Sequence, residues 1–388
     1  MQHSLKGKCA IVGVGETLVG RLPDKSARDL HVDAIRLALE DAGLTLKDVD
    51  GIMTPDLRVD PYWCKASVLA EYLGMEPSVV LSWPWGGMMG HSAILFAAAA
   101  ISSGLCNTVV VASADNQLSS QGKLRQKVSM ERGGAHPDFE WPYGPNIPAV
   151  YALSAQRHMF EYGTTSEQLA EVAVTFRNHA MRHPKAQKRT PITIQDVLAS
   201  RMIASPLHLL DCSLVSDGGW ALVITSAEAA KSMKQKPVYI LGGAEAHDHT
   251  HITYAPNLTR TAAVQTGKMA LQMAGIKPKD MNVLGLYDSF TITVLIQLED
   301  LGFCEKGEAG HFVQGGRLGI GGELPTNTHG GLLSFAHAGR TVGFPHIVEM
   351  VLQLRGQANG RQVPNAKLGL VHGVGGMYAV HCTIIFGT

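Results

Sequence analysis

The residues of this chain best equipped for chemistry are histidines and one tyrosine that stand beside glycines. His337 lies in the glycine-rich segment NTHGGLLSFAHAGRTVGF (327–344), three residues before Arg340. His372 follows an apolar run and opens the string HGVGG, the kind of strand-to-loop passage where α/β folds place ligand contacts. An imidazole at either place can change its protonation near neutral pH and so carry a proton. Tyr287 ends the run VLGL and precedes Asp288. Its phenol can act as a general acid, or as a base once its pKa is lowered; a core tyrosine with a satisfied hydroxyl is the plainer alternative. His247, His249 and His251 alternate, which on a strand would put three imidazoles on one face, as a metal site needs. No fourth ligand stands near them, so a substrate-facing loop is the better reading and no metal is expected. The cysteines at 9, 64, 106, 212, 304 and 382 include no CxxC pair, which removes a zinc ladder and points to a reduced, cytoplasmic compartment. Cys212 and Cys304 read as inert buried thiols. GVGETLVG (13–20) is not GxGxxG and makes no case for a dinucleotide.

These residues must be held by regular elements, and the chain repeats them. AIRLALEDAGLTLKDVDGI (34–52) aligns with TGKMALQMAGIKPKDMNVL (266–284), pairing Ala38 with Ala270, Ala42 with Ala274 and Gly43 with Gly275. Both copies read as an amphipathic helix closed by a glycine C-cap and leading into a strand. Ahead of them lie CAIVGVGE (9–16) and VYILGGAE (238–245). Behind the first copy come GHSAILFAAAAISSG (90–104) and TVVVAS (108–113); behind the second come GFPHIVEMVLQLRG (343–356) and LGLVHG (368–373). A strand–helix–strand–helix–strand unit written twice describes two similar α/β halves, with a seam at Lys231–Lys236. The stretch 93–101 is apolar all round, which predicts a helix buried between layers with Gly86–Gly90 at its N-terminus pointing to the centre. Residues 114–205 interrupt the repeat as an inserted loop region with some helix, notably Thr165–His179.

Composition narrows the function classes. The 388 residues carry 33 basic and 33 acidic side chains, so no bulk charge attracts nucleic acid or an anionic membrane. Hydrophobic residues at 45% against 17% charged exclude a disordered chain. The longest apolar stretch, 93–101, is far below the roughly 18 residues a membrane span needs. Glycine, 42 residues, exceeds the norm of about 7% and marks tight turns and close backbone approach.

In this order and spacing, PLHLLDCSLVSDGGWALVITS (206–226), LYDSFTITVLIQLEDLGFCEKGE (286–308), the 327–344 segment with LRG (354–356) and GLVHGVGGMYAV (369–380) resemble the thiolase superfamily. Within it they are similar to sterol-carrier-protein-type thiolases and lipid-transfer-protein-like enzymes. The resemblance covers nearly the whole chain and implies an α/β protein with a five-layered αβαβα fold made of two duplicated halves. These are residues 1–233, with the insertion at 114–205, and residues 234–388. It also implies a homodimer acting on coenzyme A thioesters, coenzyme A being part of the substrate rather than a bound cofactor.

Carried over residue by residue, the family's nucleophilic cysteine falls on Gly87 in WPWGGMMGHSAI and is therefore missing. The family's base falls on His337, its second cysteine or replacing histidine on His372, and the histidine or asparagine of a further motif on Tyr287. The N–H groups of Gly87 and Gly375 remain as an oxyanion hole. Without an acyl-enzyme, the resemblance implies retro-aldol cleavage of a β-hydroxyacyl-CoA through an enolate. Tyr287 and His337 are then the acid–base pair in an order left open, with His372 beside Gly87 at the thioester oxygen. One rival is a thiolase or acyltransferase acting on a β-ketoacyl-CoA, with Ser92 or a cysteine from elsewhere as nucleophile. The other is a non-catalytic subunit that carries ligand or scaffolds a partner. Arg177, Arg182, Lys185, Lys188 and Arg189 either meet the coenzyme A phosphates or form a solvated basic face. Cysteine-poor relatives are accompanied by a small protein with an oligonucleotide-binding-like fold and a zinc ribbon. This sequence shows no CxxC pair and stops at Thr388 after CTIIFG, so a heteromeric complex with such a partner is expected.

Overall fold

In the first helix, Ser26 accepts from the Asp29 N–H while the Asp29 carboxylate accepts from the Ser26 N–H, closing a capping box at the start; Gly43, at φ 74°, ends the helix. Its repeat, the helix before Gly275, ends the same way at φ 71°. The computed structural model describes residues 5–55, 64–83, 86–120, 135–339 and 343–388. Arg340 lies outside them.

The strands are β1 Cys9–Glu16, β2 Gly51–Pro55, β3 Val79–Trp83, β4 Thr108–Asn116, the short β5 Met202–Ala204 and β6 Leu207–His208, β7 Asp217–Ser226, β8 Val238–His247, β9 Val283–Leu286, β10 Leu368–Gly375 and β11 Val380–Gly387. The helices are α1 Ala27–Ala42, α2 Lys65–Leu73, α3 Met89–Ser102, α4 Ile147–Tyr162, α5 Ser166–Ala180, α6 Ile194–Ala199, α7 Ala227–Ala230, α8 Ala263–Ala274, α9 Thr291–Asp300, α10 Ala309–Phe312, α11 Gly331–Ser334 and α12 Phe344–Arg355. Nine strands run in the order β3-β2-β4-β7-β1-β8-β11-β10-β9. Read outward from the middle, β1-β7-β4-β2 and β8-β11-β10-β9 are the repeat-related strands in the same sequence. In the sheet the two halves pair where Ala10 meets Tyr239 and Ile11 meets Val238.

Helix contacts supply the layers. α1 covers β1, β4 and β7 on one outside, and α8 covers β8 and β11 on the other. α3 touches β2, β4 and β7 of the first half and β8, β10 and β11 of the second, and α12 touches β9, β10, β1 and β7. The repeat-related pair α3 and α12 therefore forms the middle layer, and the five-layered αβαβα arrangement follows. Their N-termini meet: a Cβ on Gly343 would lie 2.5 Å from the Gly87 carbonyl oxygen. One expectation needs correction. α3 is not buried all round, because Phe96 is 52% exposed and Leu95 is half-buried. In the described part of the 114–205 insertion, helices α4 to α6 alternate with loops. α5 starts at the capping box of Thr165 with Gln168.

The glycines of the two outer interfaces have a common cause. A Cβ on Gly13 would run into the Ala38 carbonyl and lie 2.8 Å from the Ala42 Cβ, and one on Gly242 would run into the Ala270 carbonyl and lie 3.0 Å from the Ala274 N. The alanines matched in the sequence repeat thus mark the same strand-on-helix contact twice, close enough to exclude any side chain on the strand. Gly13→Ala and Gly242→Ala should each destabilise the protein by about 1–3 kcal/mol or more through overpacking. Gly360→Ala, where nothing lies within 4 Å, should stay within about 0.5 kcal/mol. Thermal melting of the three variants checks this.

Candidate active site

Tyr287 follows β9 and is fixed through its backbone. Its N–H donates to the His372 carbonyl (3.0 Å) and to Gln297 Oε1 (3.1 Å), and Gln297 Nε2 donates back to the Tyr287 carbonyl (2.7 Å). That grip aims the ring at the turn before α3. A Cβ built on Gly87 would meet the Val374 carbonyl and Tyr287 Cε2, and would lie 2.5 Å from Tyr287 Cζ. The phenol ring therefore occupies the volume that any side chain at position 87 would need. The Tyr287 hydroxyl makes no hydrogen bond to a described residue, and burial, then the nearby Tyr151 and Asp288, hold its pKa well above the ordinary phenol value. It keeps its proton at neutral pH.

The neighbouring backbone supplies donors. Gly86, at φ 80°, lies with its Cβ position 3.6 Å from the Gly376 N and 3.8 Å from the Gly375 Cα. Gly375 is paired with Val380 at the end of β10, while the N–H groups of Gly87 and Gly376 meet no acceptor among the described residues. Gly376 thus stands beside the Gly375 expected from sequence as a donor of the HGVGG loop.

His337 is held by a strap that also ties to Ser289, two residues past Tyr287. Ser213 N–H donates to the Ser289 carbonyl and Leu214 N–H to the Leu332 carbonyl. Ser216 N–H donates to the His337 carbonyl, and Ser216 Oγ accepts from the His337 N–H at 2.9 Å. Asp288 adds a second tie, accepting from the N–H groups of Leu332 and Leu333 and from His346 Nε2 (2.9 Å). The half-buried His337 ring lies by the Leu214 carbonyl, and burial pushes its pKa down to about 4, so it is neutral and able to accept a proton.

His372 is placed differently from the sequence expectation. Its Nδ1 pairs with Thr383 Oγ1 (2.8 Å) and its Nε2 with His381 Nδ1 (3.0 Å), and the side chain has no exposure. Both nitrogens are used within the sheet, so this imidazole has none left for a thioester oxygen. The residue touches the site through its carbonyl, which holds Tyr287. Burial keeps it neutral, its pKa far below the usual imidazole value.

The rival nucleophiles are also placed. Ser92 Oγ donates to Glu245 Oε2 at 2.6 Å and is buried. Burial pushes the thiols of Cys212 and Cys304 up to about 12 and Cys106 to about 11, and raises Cys9 and Cys382 as well. None of these is a thiolate at neutral pH. His247, His249 and His251 do not converge on a metal, and no group of three or more potential ligands is gathered among the described residues. Of the basic cluster, Arg177 is buried on Ser334 and Thr190 and Lys185 is tied to Glu16, which leaves Arg182, Lys188 and Arg189 exposed.

Sequence reasoning missed His91 and Tyr151. His91 stands one helical turn past Gly87 with both ring nitrogens unpaired, fitted against Gly343 and Gly373. The helical spacing from Gly87 and the bare glycines of TVGF and HGVGG were its only signals. Tyr151, on α4, packs its ring tilted at 4.5 Å against both Phe290 and Tyr378; it sits in the insertion, where no repeat partner marks it.

The contact between Gly87 and Tyr287 is testable on stability alone. Gly87→Ala should cost about 1–3 kcal/mol, and the same change made in a Tyr287→Ala background should cost at least about 1 kcal/mol less, because the obstructing ring is gone. Additive losses in denaturant titrations would refute the steric exclusion.

Comparison with known proteins adds to this geometry. Residues 244–388 match the family described as "Thiolase C-terminal domain-like". The chain is 37% identical over 360 residues to a steroid side-chain-cleaving aldolase of Thermomonospora curvata, covering 89% of this chain and 91% of that protein. It is 35% identical over 386 residues to an acetyl-CoA acetyltransferase of Methanothermobacter thermautotrophicus, covering 96% and 98%. A solved structure described as "Ltp2-ChsH2(DUF35) aldolase" superposes with a TM-score of 0.86 at 34% identity, covering 99% of each chain.

Proposed function

The chain belongs to the thiolase superfamily, and because a phenol stands where a side chain at position 87 would have to be, we propose that it is an acyl-CoA lyase that splits a β-hydroxyacyl-CoA by a retro-aldol reaction. The observation that carries this reading is the exclusion of any residue-87 nucleophile by Tyr287. The aldolase relatives agree with it. The acetyltransferase relative supports the wider assignment to acyl-CoA chemistry, but acyl transfer through a covalent enzyme needs a nucleophile at the turn, which glycine cannot supply.

The protonation states support one order of steps. Neutral His337 takes the β-hydroxyl proton, the Cα–Cβ bond breaks, and its electrons pass to the thioester as an enolate while the β-carbon becomes a carbonyl. The free N–H groups of Gly87 and Gly376 hold the enolate oxygen. Tyr287, which keeps its proton, protonates the α-carbon, and the proton on His337 then returns to the phenolate through solvent. The products are an aldehyde or ketone and a shortened acyl-CoA, with no change of oxidation state. His372 serves by holding the backbone of Tyr287.

Assembly belongs to the same reading. β3 is an edge strand, and the exposed Leu81 on it and Phe96 on α3 support a homodimer joined along that edge. The exposed rings of Phe139, Tyr143 and Tyr254 sit on segments joined by Glu140 and Thr253, and support docking of a second protein beside the 375–379 loop, with the zinc-ribbon, oligonucleotide-binding-like module as the candidate. Among the described residues no helix is long and apolar enough to cross a membrane, and a cytoplasmic place is proposed with the coenzyme A thioester.

Tyr287→Phe and His337→Ala should each lower the rate of aldehyde or ketone release by about 10²–10⁴-fold, with melting temperature and thioester binding unchanged. Either variant keeping most of the wild-type rate removes that residue from the mechanism, and both keeping it would favour a carrier or scaffold role. The wild-type rate should fall as pH drops through about 4, where His337 gains its proton, and this acid limb should be missing from whatever rate His337→Ala retains. Intact-mass measurement after incubation with acyl-CoA should show no acyl adduct.

A further inference from the structure

The Gly376 N–H can serve only if the loop between β10 and β11 is held, and its carbonyls show how it is held. The Gly375 carbonyl accepts from the Ala379 N–H (3.1 Å), the Tyr378 carbonyl from His381 Nε2 (3.0 Å) and the Ala379 carbonyl from the Asp248 N–H (3.1 Å). Tyr378 stands at φ 62°, a left-handed conformation that a bulky residue adopts only under outside constraint. The Met377 carbonyl, at the tip, is met by His249 Nε2 at 2.8 Å, and the other nitrogen of that ring, Nδ1, meets Asp248 Oδ1 at 2.5 Å.

A carbonyl and a carboxylate are both acceptors, so both ring nitrogens must donate, and a neutral imidazole has only one N–H. The geometry is that of an imidazolium. We propose that His249, as an imidazolium clamped between Asp248 and the Met377 carbonyl, is a positioning residue that fixes the Gly375–Ala379 loop and so presents the Gly376 N–H to the turn at Gly86 and Gly87. The role in catalysis rests on the acyl-CoA lyase reading; the clamp itself does not.

The charges around the ring favour this state. Asp248 lies on its own segment, and Glu140 faces it from the 135–143 segment, where it accepts from Thr253 and from the His136 N–H. His381, on β11, is pushed down to about 4 and stays neutral. His136 and His251, edge to face at 4.9 Å, and His247, whose Nε2 lies 3.4 Å from Thr250 Oγ1, are further imidazoles of the neighbourhood. Against the opposing effect of burial, the bonds to Asp248 and Met377 raise the His249 pKa. A raised pKa stabilises the loop at low pH and is lost as pH rises through it. The last proton stays on Nδ1 beside the carboxylate, the stronger acceptor, so Nε2 then turns a lone pair toward the Met377 carbonyl and the loop is released.

The test has one arm without catalysis and one with it. In the full-length protein labelled with ¹⁵N-histidine, both His249 ring nitrogens should carry protons at pH 7, and His249→Gln should speed hydrogen exchange of the 375–379 amides. With a β-hydroxyacyl-CoA, His249→Gln should lower kcat about tenfold or more with KM little changed. Asp248→Asn should move the alkaline limb of the rate to lower pH with little loss of melting temperature. A ring with one proton at pH 7, or a His249→Gln variant with unchanged exchange, kcat and alkaline limb, overturns the proposal. A wild type without lyase activity whose loop exchange still responds to His249→Gln would sink the lyase reading and leave the clamp standing.

Discussion

A missing Cβ at residue 87 is the constraint on which the site depends. Because the turn before α3 carries no side chain there, the Tyr287 ring can close on the backbone from the opposite side, and the space is filled by a group that arrives from the other half of the chain. The same volume cannot hold a phenol and a thiol. The backbone bonds that aim Tyr287, from Gln297 and from the His372 carbonyl, thus limit what can stand at a residue two hundred positions away in sequence.

Much of the fold was legible in the sequence. Matched alanines and capping glycines located the outer helices, and the structure gives the reason: Ala38 and Ala270 present bare carbonyls that Gly13 and Gly242 must approach. The glycine at 87 was equally readable as the loss of a nucleophile. That Tyr287 fills the vacated space was not, since nothing in the string YDSF says which way its ring turns. His372 shows the same limit. Its motif fixed the position on the strand, but alternation along β10 sends Gly373 toward His91 and the His372 ring to the opposite face, against Thr383. The insertion was the least readable part, because Tyr151 meets its partners Phe290 and Tyr378 only through tertiary packing.

The buried imidazoles divide by the company they keep. His31, His91, His183 and His329 are pushed low by burial with no carboxylate bonded closely enough to offset it. His249 has a carboxylate in hydrogen-bond contact and moves the other way. Residue type alone says little about charge here; the neighbours set it.

The meeting of α3 and α12 has an electrostatic consequence. Each helix carries a partial positive charge at its N-terminus, and repeat symmetry brings the two ends together at Gly87 and Gly343 rather than pairing head with tail. Such a junction repels cations and is relieved by an anion. The imidazole packed against it, His91, remains uncharged. Duplication of one α/β unit thereby sums two backbone dipoles at a single point, giving a larger positive potential than either copy has by itself.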